Sequence, residues 1–232
     1  MGIEKLAVIP ARSGSKGLRD KNILELCGKP LMAYSIMAAL ESGCFSTVMV
    51  STDSEVYAEI ARKYGAEIPF LRSKNNSSDK SDKWDVVNEV LDKYSKRGFS
   101  FEDVCVLQPT SPLRNADDIR RAYDVMERWN ADAVVSVCEC LHPPMWSSQL
   151  GENGNMNGFD RPEMYKSRQE LGNYYQLNGA IFIAKTSIVK RGGRIYESGC
   201  YAYVMDKDRS IDIDSELDFK LAGLLMEQDV NV

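Results

Sequence analysis

The stretch IPARSGSKGLRDKN combines cationic side chains with glycines immediately after a short apolar run. Gly14 and Gly17 allow backbone N–H groups to approach an anion closely. Positive charge comes from Arg12, Lys16 and Lys21. This combination predicts a phosphate-binding loop, although a solvated polar loop would have a similar composition. The stretch has neither the Walker A pattern nor the G-x-G-x-x-G pattern of dinucleotide-binding folds.

A second stretch, SIDIDSELD, has the spacing of a metal site. If it forms a strand, Asp212 and Asp214 point to one face. Ile211 and Ile213 then face the core. Two carboxylates on one face suit a hard cation such as Mg²⁺, which also retains water and phosphate ligands. The alternative is that Asp214 or Ser215 caps the last helix, which leaves Asp212 without a role.

Two further segments carry polar side chains at predicted strand ends. In LQPTSPLR, Gln108 and Arg114 offer hydrogen-bond donors, but the same loop could equally cap a helix. In QLNGAIFI, Asn178 can donate and accept hydrogen bonds, and Gly179 permits a close backbone approach. Turn geometry alone would also account for this pair.

The elements that must position these residues alternate between short β-rich runs and helical patterns. Such alternation predicts an α/β fold with a mainly parallel sheet and helices on both faces. Ligands of such sheets bind at the carboxyl ends of the strands, where four polar segments fall, ARSGSKG, STD, QPTSPLR and NGA. SIDID and residues 66–71 are both predicted as strands. The alternation fails over residues 139–175, which predicts a subdomain or an oligomer contact inserted in a single domain spanning residues 1–232.

Composition excludes several classes of protein. The 232 residues carry 29 Lys+Arg and 34 Asp+Glu, a net charge of -5 that argues against a broad nucleic-acid-binding face. The N-terminal apolar run is too short to predict a signal peptide, and no stretch approaches the length of a membrane span. The six cysteines are scattered and His142 is the one histidine, so zinc binding and histidine-based catalysis are disfavoured. Reduced thiols predict a cytoplasmic protein.

Taken in order, IPARSGSKGLRDKN, VSTD, LQPTSPLR, NGAIFI and SIDIDSELD resemble the motifs of the acylneuraminate cytidylyltransferases, the CMP-sialic acid synthetases. The resemblance runs from Leu6 to about Leu225. It implies a Rossmann-like nucleotidyltransferase fold with a small dimerisation subdomain inserted before the last strands. It also implies a homodimer in which residues 139–175 contribute to the partner's active site.

The reaction implied by the resemblance joins CTP to a nine-carbon 2-keto-3-deoxy sugar acid, N-acetylneuraminate or a related nonulosonate, and releases pyrophosphate. The anomeric hydroxyl of the sugar would attack the α-phosphorus with the assistance of Mg²⁺, for which Mn²⁺ could substitute. Positioning and charge neutralisation are the protein's main contributions to such a transfer.

The resemblance assigns a role to each motif residue. The residues it implies for catalysis are Arg12, Lys16, Lys21 and Asp214. For CTP it implies Ala11, Arg12, Ser15, Lys16, Asn22, Arg72 and Ser81. For the sugar acid it implies Gln108, Arg168, Gln176 and Asn178, with Arg168 reaching the sugar from the partner subunit. For the metal it implies Asp212 and Asp214.

Two departures from the family pattern qualify these assignments. Gln176 and Leu177 stand where many relatives have Arg-Pro, whose arginine serves the sugar carboxylate. Asp82 and Lys83 stand where relatives often have serines near the nucleotide base. Two alternatives stay open: a cytidylyltransferase for the eight-carbon acid Kdo, and a non-catalytic nucleotide-binding regulatory protein of the same fold.

Overall fold

A computed structural model describes residues 4–15, 17–78, 81–197 and 199–229. Within this part of the chain the strands are β1 Lys5–Pro10, β2 Glu25–Leu26, β3 Lys29–Pro30, β4 Thr47–Ser51, β5 Asp103–Leu107, β6 Ala133–Glu139, β7 Tyr175–Lys185 and β8 Cys200–Val204. The α-helices are α1 Leu31–Ser42, α2 Glu55–Lys63, α3 Lys83–Ser95, α4 Ala116–Arg128, α5 Arg168–Leu171, α6 Thr186–Lys190 and α7 Glu216–Asp229.

The central sheet has the strand order β4-β1-β5-β7-β6-β8 among the described residues. β1 runs parallel to β4 and to β5, and β6 runs parallel to β8. β7 is antiparallel to both of its neighbours. The sheet is therefore mixed and mostly parallel. Because β7 is reversed, its first residues lie at the same edge as the carboxyl end of β5.

Helices cover both faces of the sheet, as the sequence predicts. Strand alternation sends Ala7 and Ile9 of β1 into one buried cluster, which includes residues of α1, α2 and α4. Leu6 and Val8 enter the other cluster, where α3 packs against the opposite face. Strands buried on both faces explain why their sequences are continuous apolar runs rather than alternating ones.

A buried carboxylate joins α4 to the edge strand β8 and to the segment that follows it. Asp118 accepts hydrogen bonds from the Asn115 amide, which forms a capping box, and from the Tyr203 hydroxyl at 2.9 Å. Its carboxylate also accepts two bonds from the Arg209 guanidinium, each at 3.1 Å. The Asp118 side chain is 1% exposed. This network fixes the start of the connection between β8 and α7, the segment that contains Asp212 and Asp214.

Residues 139–175 leave the sheet and return to it at one point. Glu139 at the end of β6 pairs with Tyr175 at the start of β7. The chain between them forms short 3-10 turns and α5, and it contributes no residue to the three hydrophobic clusters of the described chain. Its large apolar side chains Leu141, Leu150 and Tyr165 are exposed. The proposal that this segment is a dimerisation subdomain remains a prediction.

Two predicted strands are wrong. Residues 66–71 form one isolated parallel bridge, between Met49 and Glu67, because the chain turns away at Pro69. Residues 211–214 are irregular rather than extended within the sheet. No described helix combines the length and apolar character needed to cross a membrane.

Removing the charge of Asp118 should destabilise the fold strongly. Asp118→Asn keeps the shape of the side chain but leaves Arg209 without its buried partner, so the free energy of unfolding should fall by about 3 kcal/mol. The neighbouring Asp117 pairs with Arg120 at the surface, and Asp117→Asn should leave stability nearly unchanged. Urea denaturation measures both variants, and equal effects would show that the buried network does not hold the fold.

Candidate functional site

A cavity of about 400 Å³ opens at the carboxyl ends of β1 and β5. Its wall combines the cationic loop after β1, the turn after β5, the first turn of α3 and the acidic segment before α7. The residues that line it are Pro10, Arg12, Ser15, Gly17, Lys21, Asn22, Arg72, Asn76, Ser78, Ser81, Lys83, Val86, Gln108, Pro109, Thr110 and Asp214. The position is the one that parallel α/β sheets use for ligands.

The cationic loop is held in place by carboxylate, amide and backbone groups. Asp53, which follows β4, accepts hydrogen bonds from the Ser13 amide at 2.8 Å and from its hydroxyl at 3.0 Å. The buried Asn22 side chain donates to the Arg12 carbonyl at 3.0 Å. Gly14 adopts a φ of 68°, a left-handed conformation that favours glycine. Hydrogen bonds within the protein thus hold Arg12 and Ser13 of this loop.

Asp53 and Arg72 form the charged support of this loop. Burial would raise the pKa of Asp53, but the hydrogen bonds from Ser13 and the nearby Arg72 hold that pKa below its usual value. Arg72 is buried and donates to the side chain and carbonyl of Ser51. Burial lowers the pKa of Arg72 to about 10 despite the opposing charge of Asp53. Asp53 therefore stays ionised, and Arg72 is held as a fixed cation at the cavity wall.

Lys21 connects the cationic loop to the acidic segment. Its ammonium donates to the Ile213 carbonyl at 2.5 Å and to the Asp214 carboxylate at 3.0 Å. The two segments also touch at Gly17, where a Cβ would lie 3.0 Å from the Asp214 carbonyl oxygen. A side chain at this position would be tighter than ordinary contacts and would push the loop away from the acidic segment, so the close approach favours glycine here.

Asp212 and Asp214 have different environments although they are two residues apart. Ile213 between them is fully buried, and its amide donates to the Thr110 carbonyl at 2.8 Å. The Asp214 side chain is 81% exposed, whereas Asp212 is half-buried. Burial, assisted by the charge of Asp214, raises the pKa of Asp212 against a hydrogen bond from Thr110. The alternation predicted for SIDID holds only for its last pair, since Ile213 is buried and Asp214 exposed, whereas Ile211 and Asp212 are both half-buried.

Asp212 faces Gln108 across the start of β7. A Cβ at Gly179 would lie 2.9 Å from Gln108 Oε1 and 3.2 Å from Asp212 Oδ2. Gly179 also has a φ of 77°, so both its conformation and its close contacts exclude other residues. Asp212 Oδ1 is buried without a hydrogen-bond partner among the described residues. A buried oxygen of this kind calls for a ligand, a cation or a water.

The capping alternative is confirmed for Ser215 and wrong for Asp214, because Ser215 together with Asp218 caps α7. The Ser215 amide and hydroxyl each donate to Asp218 Oδ2 at 2.8 Å, and the Asp218 amide donates back to Ser215 Oγ. The Asp214 carboxylate instead accepts from Lys21. The cap therefore leaves both carboxylates that face the cavity region available for other chemistry.

The carboxylate oxygens of Asp212 and Asp214 fit a Mg²⁺ ion that is also coordinated by oxygen atoms of a substrate. Asp212 provides an unpartnered buried oxygen, and Asp214 provides an exposed carboxylate. The described residues contain no group of three or more His, Cys, Asp or Glu side chains placed to hold a metal. Mg²⁺ is commonly bound by one or two carboxylates, with water and phosphate oxygens completing its shell.

The structure brings most of the predicted site residues together. The predicted residues that line the cavity are Arg12, Ser15, Lys21, Asn22, Arg72, Ser81, Gln108 and Asp214. Ala11 is buried beneath the loop, where its amide donates to the Ser51 carbonyl. Asp212 lies beside Gln108. Lys16 lies outside the described residues.

Three residues predicted to bind the sugar do not line this cavity. Asn178 is buried. Its side-chain oxygen accepts a hydrogen bond from the Ser136 hydroxyl at 2.6 Å, and its side-chain nitrogen donates one to the Ser210 hydroxyl at 2.9 Å. It therefore joins a bulge in β6 to the acidic segment as a positioning residue. Arg168 pairs with Glu139 at the surface, and Gln176 is exposed on β7 opposite Cys138.

Sequence reasoning did not assign several residues that form the cavity or support it. Asp53 supports the cationic loop through Ser13; it belongs to the VSTD motif, and the position of that motif after a strand was the available signal. Asn76, Ser78, Lys83 and Val86 line the cavity itself. Their signal is weaker, because polar residues before a helix are also expected from capping alone.

Comparison with known proteins identifies relatives over almost the whole chain. A protein-family model described as "Cytidylyltransferase" matches residues 6–218. The CMP-N,N'-diacetyllegionaminic acid synthase of Legionella pneumophila is 38% identical over 226 residues, which cover 96% of each protein. The N-acylneuraminate cytidylyltransferase of Escherichia coli is 40% identical over 226 residues. That alignment covers 96% of this chain and 52% of the relative, so the chain spans about half of that protein's length.

A solved structure confirms the fold at low sequence identity. The CMP:2-keto-3-deoxy-manno-octonic acid synthetase complexed with CTP superposes with a TM-score of 0.74 and 16% identity. The match covers 97% of this chain and 99% of the other. Similarity at this level of identity concerns the arrangement of strands and helices.

Proposed function

The chain belongs to the cytidylyltransferase family and is a nucleotidyltransferase, and from this premise we propose that it transfers CMP from CTP to a nonulosonic acid. The products would be the CMP-sugar and pyrophosphate. The named substrates of the two curated relatives, a diacetyllegionaminic acid and an N-acylneuraminate, support a nine-carbon sugar acid.

The observation that carries the proposal is that Lys21 joins the cationic loop to the acidic segment, by bonds to the Ile213 carbonyl and the Asp214 carboxylate. A triphosphate needs cations along its length, and a metal shared with the α-phosphate needs carboxylates close by. The two requirements meet in one cavity of the size of a small ligand site.

In the proposed reaction the sugar's anomeric hydroxyl attacks the α-phosphorus, and the bond to the β-phosphate oxygen breaks. Arg12 and Lys21, with Lys16 of the same loop, would bind the phosphates and neutralise the departing pyrophosphate. Mg²⁺ held by Asp212 and Asp214 would neutralise phosphate charge and favour ionisation of the attacking hydroxyl. Gln108, beside Asp212, would orient the sugar.

A Kdo cytidylyltransferase remains the second candidate, since a Kdo synthetase shares the fold. A non-catalytic regulatory protein is disfavoured by the retention of Arg12, Lys21 and Asp214 at the cavity, with Asp212 beside the cavity residue Gln108. The six cysteines form no disulfide, which agrees with the proposed cytoplasmic location.

A panel of sugar acids tests the proposed function directly. With CTP and Mg²⁺, pyrophosphate should be released with N-acetylneuraminate or a diacetamido legionaminate, and release with Kdo should be at least about tenfold less efficient, a difference of ~1.4 kcal/mol. Mass spectrometry should identify the CMP-sugar. Efficient turnover of Kdo alone would favour the second candidate, and binding of CTP without turnover of any acid would favour a regulatory protein.

Asp212→Asn should abolish most activity without loss of folding. The change removes one proposed metal-ligand charge while keeping the shape of the side chain, so turnover should fall by about a hundredfold or more. Chelator should inactivate the wild type, and Mg²⁺ or Mn²⁺ should restore it. Mg²⁺ binding measured by calorimetry in the presence of CTP should weaken in the variant.

Ser215→Ala provides the control for Asp212→Asn. Loss of the α7 cap should reduce the free energy of unfolding by about 1 kcal/mol and leave the Mg²⁺ dependence intact. Wild-type turnover and metal affinity in Asp212→Asn would contradict the proposed metal site.

We also propose that the active protein is a homodimer that uses residues 139–175 as its contact, with Arg168 reaching the partner's site. The exposed apolar side chains of this segment, and the position of Arg168 outside the cavity of its own chain, support this arrangement. Sedimentation equilibrium should give a dimer of about twice 26.1 kDa. A fully active monomer would contradict the proposal.

A further inference from the structure

Arg114 is a charged side chain buried in the core of the protein. It lies just before Asn115, the cap of α4, and 1% of the residue is exposed. Burial lowers the pKa of its guanidinium to about 10, so Arg114 remains a cation at neutral pH. Its Nη2 donates to Ser35 Oγ at 2.6 Å, whereas Nε and Nη1 are buried without a hydrogen-bond partner among the described residues.

An arginine in this position reduces the stability of the fold. Buried donors that lose water without gaining an acceptor carry the full penalty of desolvation. An unbranched apolar side chain such as methionine would fill similar space without that penalty. The reason for a cation here therefore lies in the contact that the guanidinium does make, its bond to Ser35.

The bond from Arg114 determines what the Ser35 hydroxyl can do. Ser35 lies in α1 and is fully buried. Because a guanidinium can only donate, the serine oxygen accepts, and the serine hydrogen is left for another acceptor. That acceptor is the backbone carbonyl of Gln108, at 3.0 Å. A hydroxyl polarised by a cation donates more strongly, so Arg114 strengthens the bond between α1 and Gln108.

The Gln108 carbonyl is the start of the turn that enters the cavity. It also accepts the Ser111 amide at 3.3 Å, and the Ser111 carbonyl accepts the Arg114 amide at 3.4 Å. The backbone therefore makes two successive turns, and the Arg114 side chain returns through Ser35 to the residue where these turns begin. Residues 108–110 of the first turn line the cavity.

Two parts of the proposed active site depend on the position of this turn. The Gln108 side chain lies beside Asp212 across Gly179. The Thr110 carbonyl accepts the Ile213 amide at 2.8 Å and so holds the acidic segment. The cationic loop has anchors of its own, which do not involve the turn.

We propose that Arg114 is a positioning residue that acts through Ser35. It fixes the turn of residues 108–110, and with the turn it fixes both the Gln108 side chain and the acidic segment. The proposal rests on the proposed function of the same cavity, because it assigns Gln108 to the sugar acid and the acidic segment to the metal.

The main test is a variant that carries both Arg114→Met and Ser35→Ala. Replacing both polar partners by apolar groups leaves no unpaired donor of this pair, and alanine favours the helix, so the melting temperature should stay near that of the wild type. The turn loses its contact with α1, so the KM for N-acetylneuraminate should rise about tenfold. The Kd for CTP without metal, measured by calorimetry, should stay within about twofold.

Hydrogen exchange provides a measurement that needs no turnover. Exchange of the Ile213 amide reports on the contact between the turn and the acidic segment. In the double variant this amide should exchange about tenfold faster, while amides of β1 and β4 keep their protection. Failure of the proposed function would look different, because the wild type would then form no CMP-sugar, whereas exchange at Ile213 would still test the anchor.

Arg120→Met is the matched control. Arg120 also links α4 to α1, through the carbonyls of Glu41 and Ser42, but these bonds do not lead to the cavity. The control should leave the KM and the exchange of the Ile213 amide unchanged. Ser35→Ala alone breaks the same chain of hydrogen bonds and should raise the KM as the double variant does, which keeps the proposal testable if the double variant folds poorly.

Three outcomes would overturn the inference. The first is a wild-type KM for N-acetylneuraminate in both the double variant and Ser35→Ala, which would leave Arg114 a purely structural residue. The second is unchanged exchange of the Ile213 amide. The third is an equal loss of affinity for metal-free CTP, which would indicate that the whole site loosens rather than the turn.

Discussion

The ammonium of Lys21, held between the Ile213 carbonyl and the Asp214 carboxylate, is the contact on which the rest of the site depends. It joins a cationic loop near the N-terminus to an acidic segment 192 residues later, and it adds a charged contact to the close approach of the two segments at Gly17. The side chain of Lys21 is 12% exposed while that of Asp214 is 81% exposed. The lysine is thus fixed by the fold, and the carboxylate remains open to the cavity.

Much of the fold holds the acidic segment in position for this contact. Asp118 fixes Arg209 at its start, Asn178 holds Ser210, and the Thr110 carbonyl accepts the amide of Ile213. Each anchor comes from a different element, and each is a hydrogen bond to a group that would be costly to bury unpaired. An irregular segment with three such anchors can place two carboxylates as firmly as a strand would.

The sequence predicted the elements whose signals are local, and it was wrong where long-range contacts decide. Continuous apolar runs identified the buried strands, and Gly14 with Gly17 identified the loop. By contrast, SIDID has the composition of a strand, but its backbone bonds to Thr110 and Lys21 instead of a sheet neighbour. The reversal of β7 could not be read from QLNGAIFIA either, because buried parallel and antiparallel strands have the same apolar pattern.

Long-range contacts also decide which polar residues can bind a ligand and which only hold other residues in position. Asn178 and Gln108 were both predicted to contact the sugar because the family resemblance implies that role for each. Burial separates them: Asn178 has its amide satisfied by Ser136 and Ser210, whereas Gln108 lines the cavity beside Asp212. A polar side chain whose donors and acceptors are satisfied internally gains little from a ligand, while one with an open donor or acceptor does gain. A motif therefore locates the edge of a site, and the hydrogen bonds of each side chain decide which of its residues reach the substrate.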